Sequence, residues 1–131
     1  MTCRFVLALE NSLCEDYVTE KLFKLFAPDT PVLPVVRGGA DYTLFPHGSL
    51  VHAHAHTPPA ALAAALRRLG RSREAYAAAL TAKLSYTAMP LNDTRRRLAC
   101  DLCRHLNTRD PLHTTTLDTR GWVRDQCTVL P

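Results

Sequence analysis

The chain opens with an apolar run, Phe5-Val6-Leu7-Ala8-Leu9, that stops abruptly at the polar Glu10-Asn11-Ser12. An unbroken apolar run of strand length leaves no face for water, so it predicts a buried strand of a parallel sheet. Ser12 with Glu15 three residues on has the form of a capping box, and Asp16 is a second capping side chain, so a helix is expected to begin between Ser12 and Tyr17. Val18, Leu22, Leu25 and Phe26 then share one helical face, while Glu20, Lys21 and Lys24 point elsewhere, and Pro28 stops the helix.

The next apolar run, Val32-Leu33-Pro34-Val35-Val36, leads into Arg37-Gly38-Gly39, where paired glycines permit a tight turn or a close approach. Strand, helix, strand is a βαβ unit, whose right-handed crossover joins parallel strands. Ser49-Leu50-Val51-His52 forms a further extended piece after a loop holding Asp41, Tyr42, Phe45 and Pro46. Thr57 is expected to N-cap a helix with Pro58 just inside, Leu62, Leu66 and Leu69 on one face and Gly70 at its end. Ser72 is expected to cap another, with Tyr76, Leu80 and Leu84 as its buried stripe. From Pro90 onward the pattern weakens, and residues 90–131 read as a C-terminal tail. The fold class expected is α/β.

Composition adds bounds. The 131 residues suit one domain, or a piece of a larger protein, and 47% hydrophobic with 21% charged residues describes a globular chain. Sixteen Lys and Arg against 12 Asp and Glu give +4, which suits an anionic ligand and is too small to announce nucleic acid. No run approaches the roughly 20 apolar residues of a membrane span, and Met1-Thr2-Cys3-Arg4-Phe5 lacks the long apolar stretch of a signal peptide, so no targeting segment is read in these residues.

The block richest in chemistry is Leu9 to Lys21. A strand that ends in polar residues and is followed by a helix N-terminus is where open α/β sheets bind ligands, and phosphate is favoured there. Neither GxGxxG nor a Walker sequence is present, so a glycine loop is not what holds a phosphate here. The block offers instead a cation, Lys21, to neutralise phosphate, and carboxylates to hold hydroxyls.

Glu10-Asn11-Ser12, Asp16-Tyr17 and Thr19-Glu20-Lys21, at this spacing behind the Phe5 strand, resemble the signature of the α1,3/α1,4-fucosyltransferase family. Val35-Val36-Arg37-Gly38-Gly39-Ala40-Asp41-Tyr42, Pro46-His47 and Ser49-Leu50-Val51-His52 are similar to its next segment. The match covers residues 5–56, with helices over about 57–86 continuing it more loosely. The resemblance implies a Rossmann-like parallel sheet with flanking helices, the C-terminal, GDP-fucose-binding part of a two-domain GT-B glycosyltransferase, and a chain that is a fragment of it. It implies inverting transfer of fucose from GDP-fucose to a hydroxyl of a glycoprotein or glycolipid glycan, with no further cofactor or metal. It places Asn11 and Tyr17 on the nucleotide, Glu20 near the ribose or fucose as the charge-stabilising catalytic residue, and Lys21 on the diphosphate. The general base would lie outside this chain, as would the anchor of a type II protein on the lumenal side of the Golgi membrane. The 131-residue chain alone is then expected to bind GDP at best weakly and not to transfer fucose.

Ala53-His54-Ala55-His56 stands where the family has an acidic-aromatic stretch, and the loop at Phe45-Pro46-His47-Gly48 is short. These departures keep a second reading open, a non-catalytic nucleotide-sugar-binding remnant or pseudoenzyme. His52, His54 and His56 alternate and on a strand would share a face able to hold zinc, against the simpler expectation of solvated strand-end histidines. Of five cysteines, Cys100 and Cys103 form a CxxC, expected to be a short disulfide, although a redox pair or half a zinc site has the same spacing. Cys127 is expected to pair outside the chain, and Cys3 and Cys14 to be small buried residues. Asn92-Asp93-Thr94 is an N-glycosylation sequon, and Arg95-Arg96-Arg97 reads as a solvated face.

Overall fold

The structure, a computed structural model, describes residues 3–108 and 118–128. The chain divides into two compact units, Met1–Ala88 with Asp125–Pro131, and Met89–Arg124.

In the first unit, β1 (Phe5–Leu9), β2 (Leu13–Cys14) and α1 (Glu20–Phe23) are followed by β3 (Leu33–Arg37) and β4 (Val51–His52). Strands β1, β3 and β4 form a parallel sheet in the order β1-β3-β4, with Phe5 opposite Leu33, Leu9 opposite Arg37, and Val35 opposite Val51. The central strand carries the burial: Leu33, Pro34, Val35 and Val36 are all inside. Pro34 is tolerated because its missing N–H falls on the β4 side, one residue before pairing with β4 starts at Val35. β1 is parallel as expected but not covered on both faces, since an end position leaves Leu7 64% and Leu9 40% exposed while Ala8 is buried.

The helix expected from Ser12 to Tyr17 does not begin there. Leu13 and Cys14 instead pair antiparallel with β5 (Cys127–Thr128), Glu15 bridges to Gly39, and Asp16 takes φ 57°. Residues committed to extended pairing cannot also start a helix, so α1 waits for Thr19, whose hydroxyl accepts from the Lys21 N–H. α1 continues as a 3-10 turn over Lys24–Phe26, and Leu22 and Phe26 enter the core with Ala8 and Val36. Phe26 meets Phe45 and Tyr86 with ring centroids 5.5 and 5.4 Å apart.

α2 (Pro59–Arg71) starts one residue later than expected, with Pro58 rather than Thr57 in the cap position and Pro59 inside. Gly70 does not end it: it lies in the last turn against Phe5, where an added Cβ would sit 3.2 Å from the ring. Ser72 caps α3 (Arg73–Leu84) as expected, its hydroxyl accepting from the Ala75 N–H at 3.1 Å. Tyr76 crosses back to the sheet, meeting Phe5 edge-on and donating to the Arg4 carbonyl at 2.8 Å. The expected stripe fails at its end, where Leu84 is 58% exposed and its neighbour Lys83 is buried at 1%. The Lys83 ammonium donates to the carbonyl of Leu25 at 2.6 Å and to that of Thr30, which makes burial of this side chain tolerable. Burial pushes its pKa below the usual lysine value.

In the second unit, residues expected to be tail are helical. α4 (Leu91–Thr108) runs 18 residues, with Leu98, Leu102 and Leu106 exposed along it. α5 (Thr119–Gln126), of which residues 119–124 belong to this unit, starts at Asp118, whose carboxylate accepts from the N–H groups of Arg120 and Gly121. Among the described residues, no helix is long and apolar enough to cross a membrane.

Candidate functional site

The C-terminal ends of β1 and β3 and the start of α1 meet at one carboxylate. The Glu10 N–H donates to the Arg37 carbonyl at 2.9 Å, extending the β1–β3 ladder by one rung, and leaves the Glu10 side chain only 1% exposed. Its Oε1 accepts from the Thr19 N–H at 2.8 Å and the Thr19 hydroxyl at 3.0 Å. Its Oε2 lies 2.8 Å from that hydroxyl and accepts from Lys21 Nζ at 3.2 Å. Burial acts to raise the Glu10 pKa, but the Thr19 hydrogen bonds and then the Lys21 hydrogen bond and charge outweigh it and hold the carboxyl below its ordinary value.

Lys21 Nζ also donates to Asn11 Oδ1 at 3.2 Å, and its side chain remains 35% exposed. The structure therefore brings two of the expected site residues, Asn11 and Lys21, into contact. Tyr17 and Glu20 lie on the same segment, Tyr17 exposed before α1 and Glu20 exposed in its first turn. Glu10 and Thr19, which hold this arrangement together, had no role assigned from sequence. The signal that could have found them is the acid at the strand exit facing a Thr-x-Lys at the helix start, where an unpaired buried carboxylate would be too costly.

Both glycines after β3 lie in close contact, and at Gly39 the contact is with backbone, which requires a glycine. A Cβ on Gly38 would lie 2.7 Å from Tyr42 Oη and 3.0 Å from Glu10 Cγ, and one on Gly39 would lie 2.1 Å from the Cys14 carbonyl oxygen. Tyr42 is half-buried, and burial, followed by the nearby Glu10 charge, raises its pKa. Tyr42, Phe45, Pro46, His47, Leu50 and His52 line an open groove of about 630 Å³. His52 packs on Tyr42 with ring centroids 4.8 Å apart, and burial, then His54 and His56, lower its pKa. The three histidines do not share a strand face, because β4 ends at His52 and Ala53–Ala55 form a 3-10 turn.

The cysteines depart from expectation. Cys14 and Cys127 form a disulfide across the β2–β5 pair, and the Glu15 N–H donates to the Gln126 carbonyl at 2.7 Å beside it. Cys127 thus finds its partner within the chain, and Cys14 is bonded rather than a free small core residue. Cys100 and Cys103 are free and exposed in the body of α4, and Cys3 is free and exposed. Asn92 of the sequon is exposed in the first turn of α4, and Arg95, Arg96 and Arg97 are exposed along it.

The sequence matches the family described as glycosyltransferase family 10 (fucosyltransferase) C-term over residues 1–122. It is 36% identical over 126 residues to the alpha-(1,3)-fucosyltransferase C of Drosophila melanogaster, covering 94% of this chain and 28% of that protein. It is 31% identical over 105 residues to the human and mouse proteins named 4-galactosyl-N-acetylglucosaminide 3-alpha-L-fucosyltransferase 9, covering 76% of this chain and 29% of each of them. The chain thus spans less than a third of the length of these relatives, between 28% and 29%. No solved structure matches it. A parallel three-stranded sheet with flanking helices, in a sequence that carries the family's C-terminal signature almost end to end, places this chain in glycosyltransferase family 10, the fucosyltransferases.

Proposed function

We propose that this chain is the donor-binding part of an inverting fucosyltransferase that takes fucose from GDP-fucose and delivers it to a hydroxyl of a glycoprotein or glycolipid glycan. The observation that supports the reading is the Lys21 ammonium, held at the C-terminal edge of a parallel sheet by Glu10 and Asn11 and still open to solvent. Breaking the bond between fucose and diphosphate leaves negative charge on GDP and develops positive charge on the sugar. A fixed ammonium at the leaving diphosphate stabilises the first, and an exposed carboxylate such as Glu20 the second. α1 is only four residues long, so its dipole adds little to the charge that the lysine supplies.

Asn11 and Tyr17 contact the nucleotide in this reading, and the base that deprotonates the acceptor hydroxyl comes from a part of the enzyme outside this chain. GDP-fucose is the donor and no further cofactor takes part. The whole protein works on the lumenal side of the Golgi membrane in protein glycosylation, with its membrane anchor outside the present sequence.

The test is GDP titration of the 131-residue chain followed by amide chemical shifts, with binding expected in the millimolar range. Lys21→Met removes a charged hydrogen bond to phosphate and should weaken GDP binding by about tenfold or more. An affinity for GDP that is the same with and without Lys21 overturns the reading.

A further inference from the structure

Lys21 is a flexible side chain with three donors, and two of them are already engaged, one by Glu10 Oε2 and one by Asn11 Oδ1, both at 3.2 Å. A long lysine that is free in solution must give up its rotamer freedom when it grips a ligand, and one held in advance does not. Glu10 can do the holding because it is itself immobile: its side chain is 1% exposed and both oxygens are engaged by Thr19.

We infer that Glu10 is a positioning residue, which sets the Lys21 ammonium in place for a phosphate-bearing ligand and leaves its remaining donor for that ligand. The inference rests on the nucleotide reading above. It separates two jobs that Glu10 performs. Its bonds to Thr19 tie the strand exit to the helix start, a structural job, while its contact with Lys21 acts on the ligand through another residue.

The two jobs come apart chemically in Glu10→Gln. The Thr19 N–H needs an acceptor at the Oε1 position, so the glutamine carbonyl goes there. Its NH2 group then falls at the Oε2 position, a donor facing the Lys21 donors, and the lysine is released. Loss of the Glu10 charge also relieves repulsion of an anionic ligand, which acts in the opposite direction. That relief is present whether or not residue 21 is a lysine, so it cancels when the effect of Glu10→Gln is compared in the two backgrounds.

The experiment is a double-mutant cycle on the 131-residue chain with GDP as the probe, read by amide shifts. Relative to its effect in the Lys21→Met background, Glu10→Gln should weaken GDP binding by an additional factor of about two to ten in the chain that keeps Lys21. A ratio of one overturns the inference while leaving the nucleotide reading intact. Unchanged GDP affinity on Lys21→Met, or no saturable shift in the unsubstituted chain, overturns both. If the glutamine form does not fold, Glu10→Asp keeps the charge and withdraws the carboxylate from Lys21, and the same ratio is read. A chain that unfolds with either substitution shows Glu10 to be structural only and overturns the inference.

Discussion

Residues 10–21 and residues 91–108 are both rich in charged side chains, yet they end in opposite physical states. In the first segment a nearly inaccessible carboxylate gathers a hydroxyl, a backbone N–H and an ammonium, and a disulfide and a two-residue ladder secure the same stretch. In the second, the charges are solvated along α4. The one ion pair described there, Arg104 with Asp101 at 2.7 Å, has both side chains more than half exposed, at 72% and 64%. Charge density alone does not distinguish them. What differs is whether the backbone around the charge is committed elsewhere: strand pairing at β2 and β1 forces Glu10 inside, where it must be satisfied, while a regular helix lets every charge face water.

The comparison is broken most severely at the disulfide. Cys14→Ser with Cys127→Ser opens a covalent loop with a sequence separation of 113 and should cost about 4 kcal/mol, read as a lower urea midpoint. The unfolded, unreduced chain should show free thiols at Cys3, Cys100 and Cys103 alone. A midpoint unchanged by the substitutions, or Cys100 and Cys103 found bonded to each other, removes the contrast between the segments.

A smaller effect sharpens it. The folded Glu10 carboxyl titrates below its ordinary value, so its ionised form contributes stability that is fully present above the usual carboxylate range and is lost as pH falls through the folded pKa. Glu10→Gln should therefore flatten the fall in urea midpoint as the pH drops below the ordinary carboxylate range, and by weakening a charged hydrogen-bond cluster it should cost about 2 kcal/mol near neutral pH. An acid limb as steep as that of the unsubstituted chain would show that Glu10 is not the titrating group. Least affected should be α4, where Arg104→Ala changes stability by under about 0.5 kcal/mol, and a larger loss in thermal unfolding would show α4 to be as tightly coupled as the first segment.

The parts of this fold legible in the sequence are those encoded over short distances. The β1 and β3 runs, their parallel pairing and the Ser72 cap each depend on residues close together in the chain, and each is found. So does the placing of Asn11 and Lys21 at one strand exit. What escaped reading depends on distant partners. Ser12 and Glu15 carry a helix signal, but Thr128, Cys127 and Gly39 override it by pairing with Leu13, Cys14 and Glu15. The Cys14–Cys127 connection is not deducible from cysteine spacing, and the CxxC drew attention to the wrong pair. α4 was missed because its polar residues outnumber its apolar ones, although Leu98, Leu102 and Leu106 stand four apart. The burial of Lys83 is decided by carbonyls 58 and 53 residues away, which no local pattern carries.

Lys83 also bears on the order in which the chain can assemble. The carbonyls of Leu25 and Thr30 flank the Pro28-Asp29 reversal between α1 and β3, and the group that closes them arrives from the end of α3. The reversal has a local hydrogen bond of its own, from the Thr30 N–H to the Ala27 carbonyl at 3.1 Å, and gains the two from Lys83 only once α3 docks. The connection between α1, which carries Glu20 and Lys21, and β3 therefore has its full set of hydrogen bonds only with α3 in place.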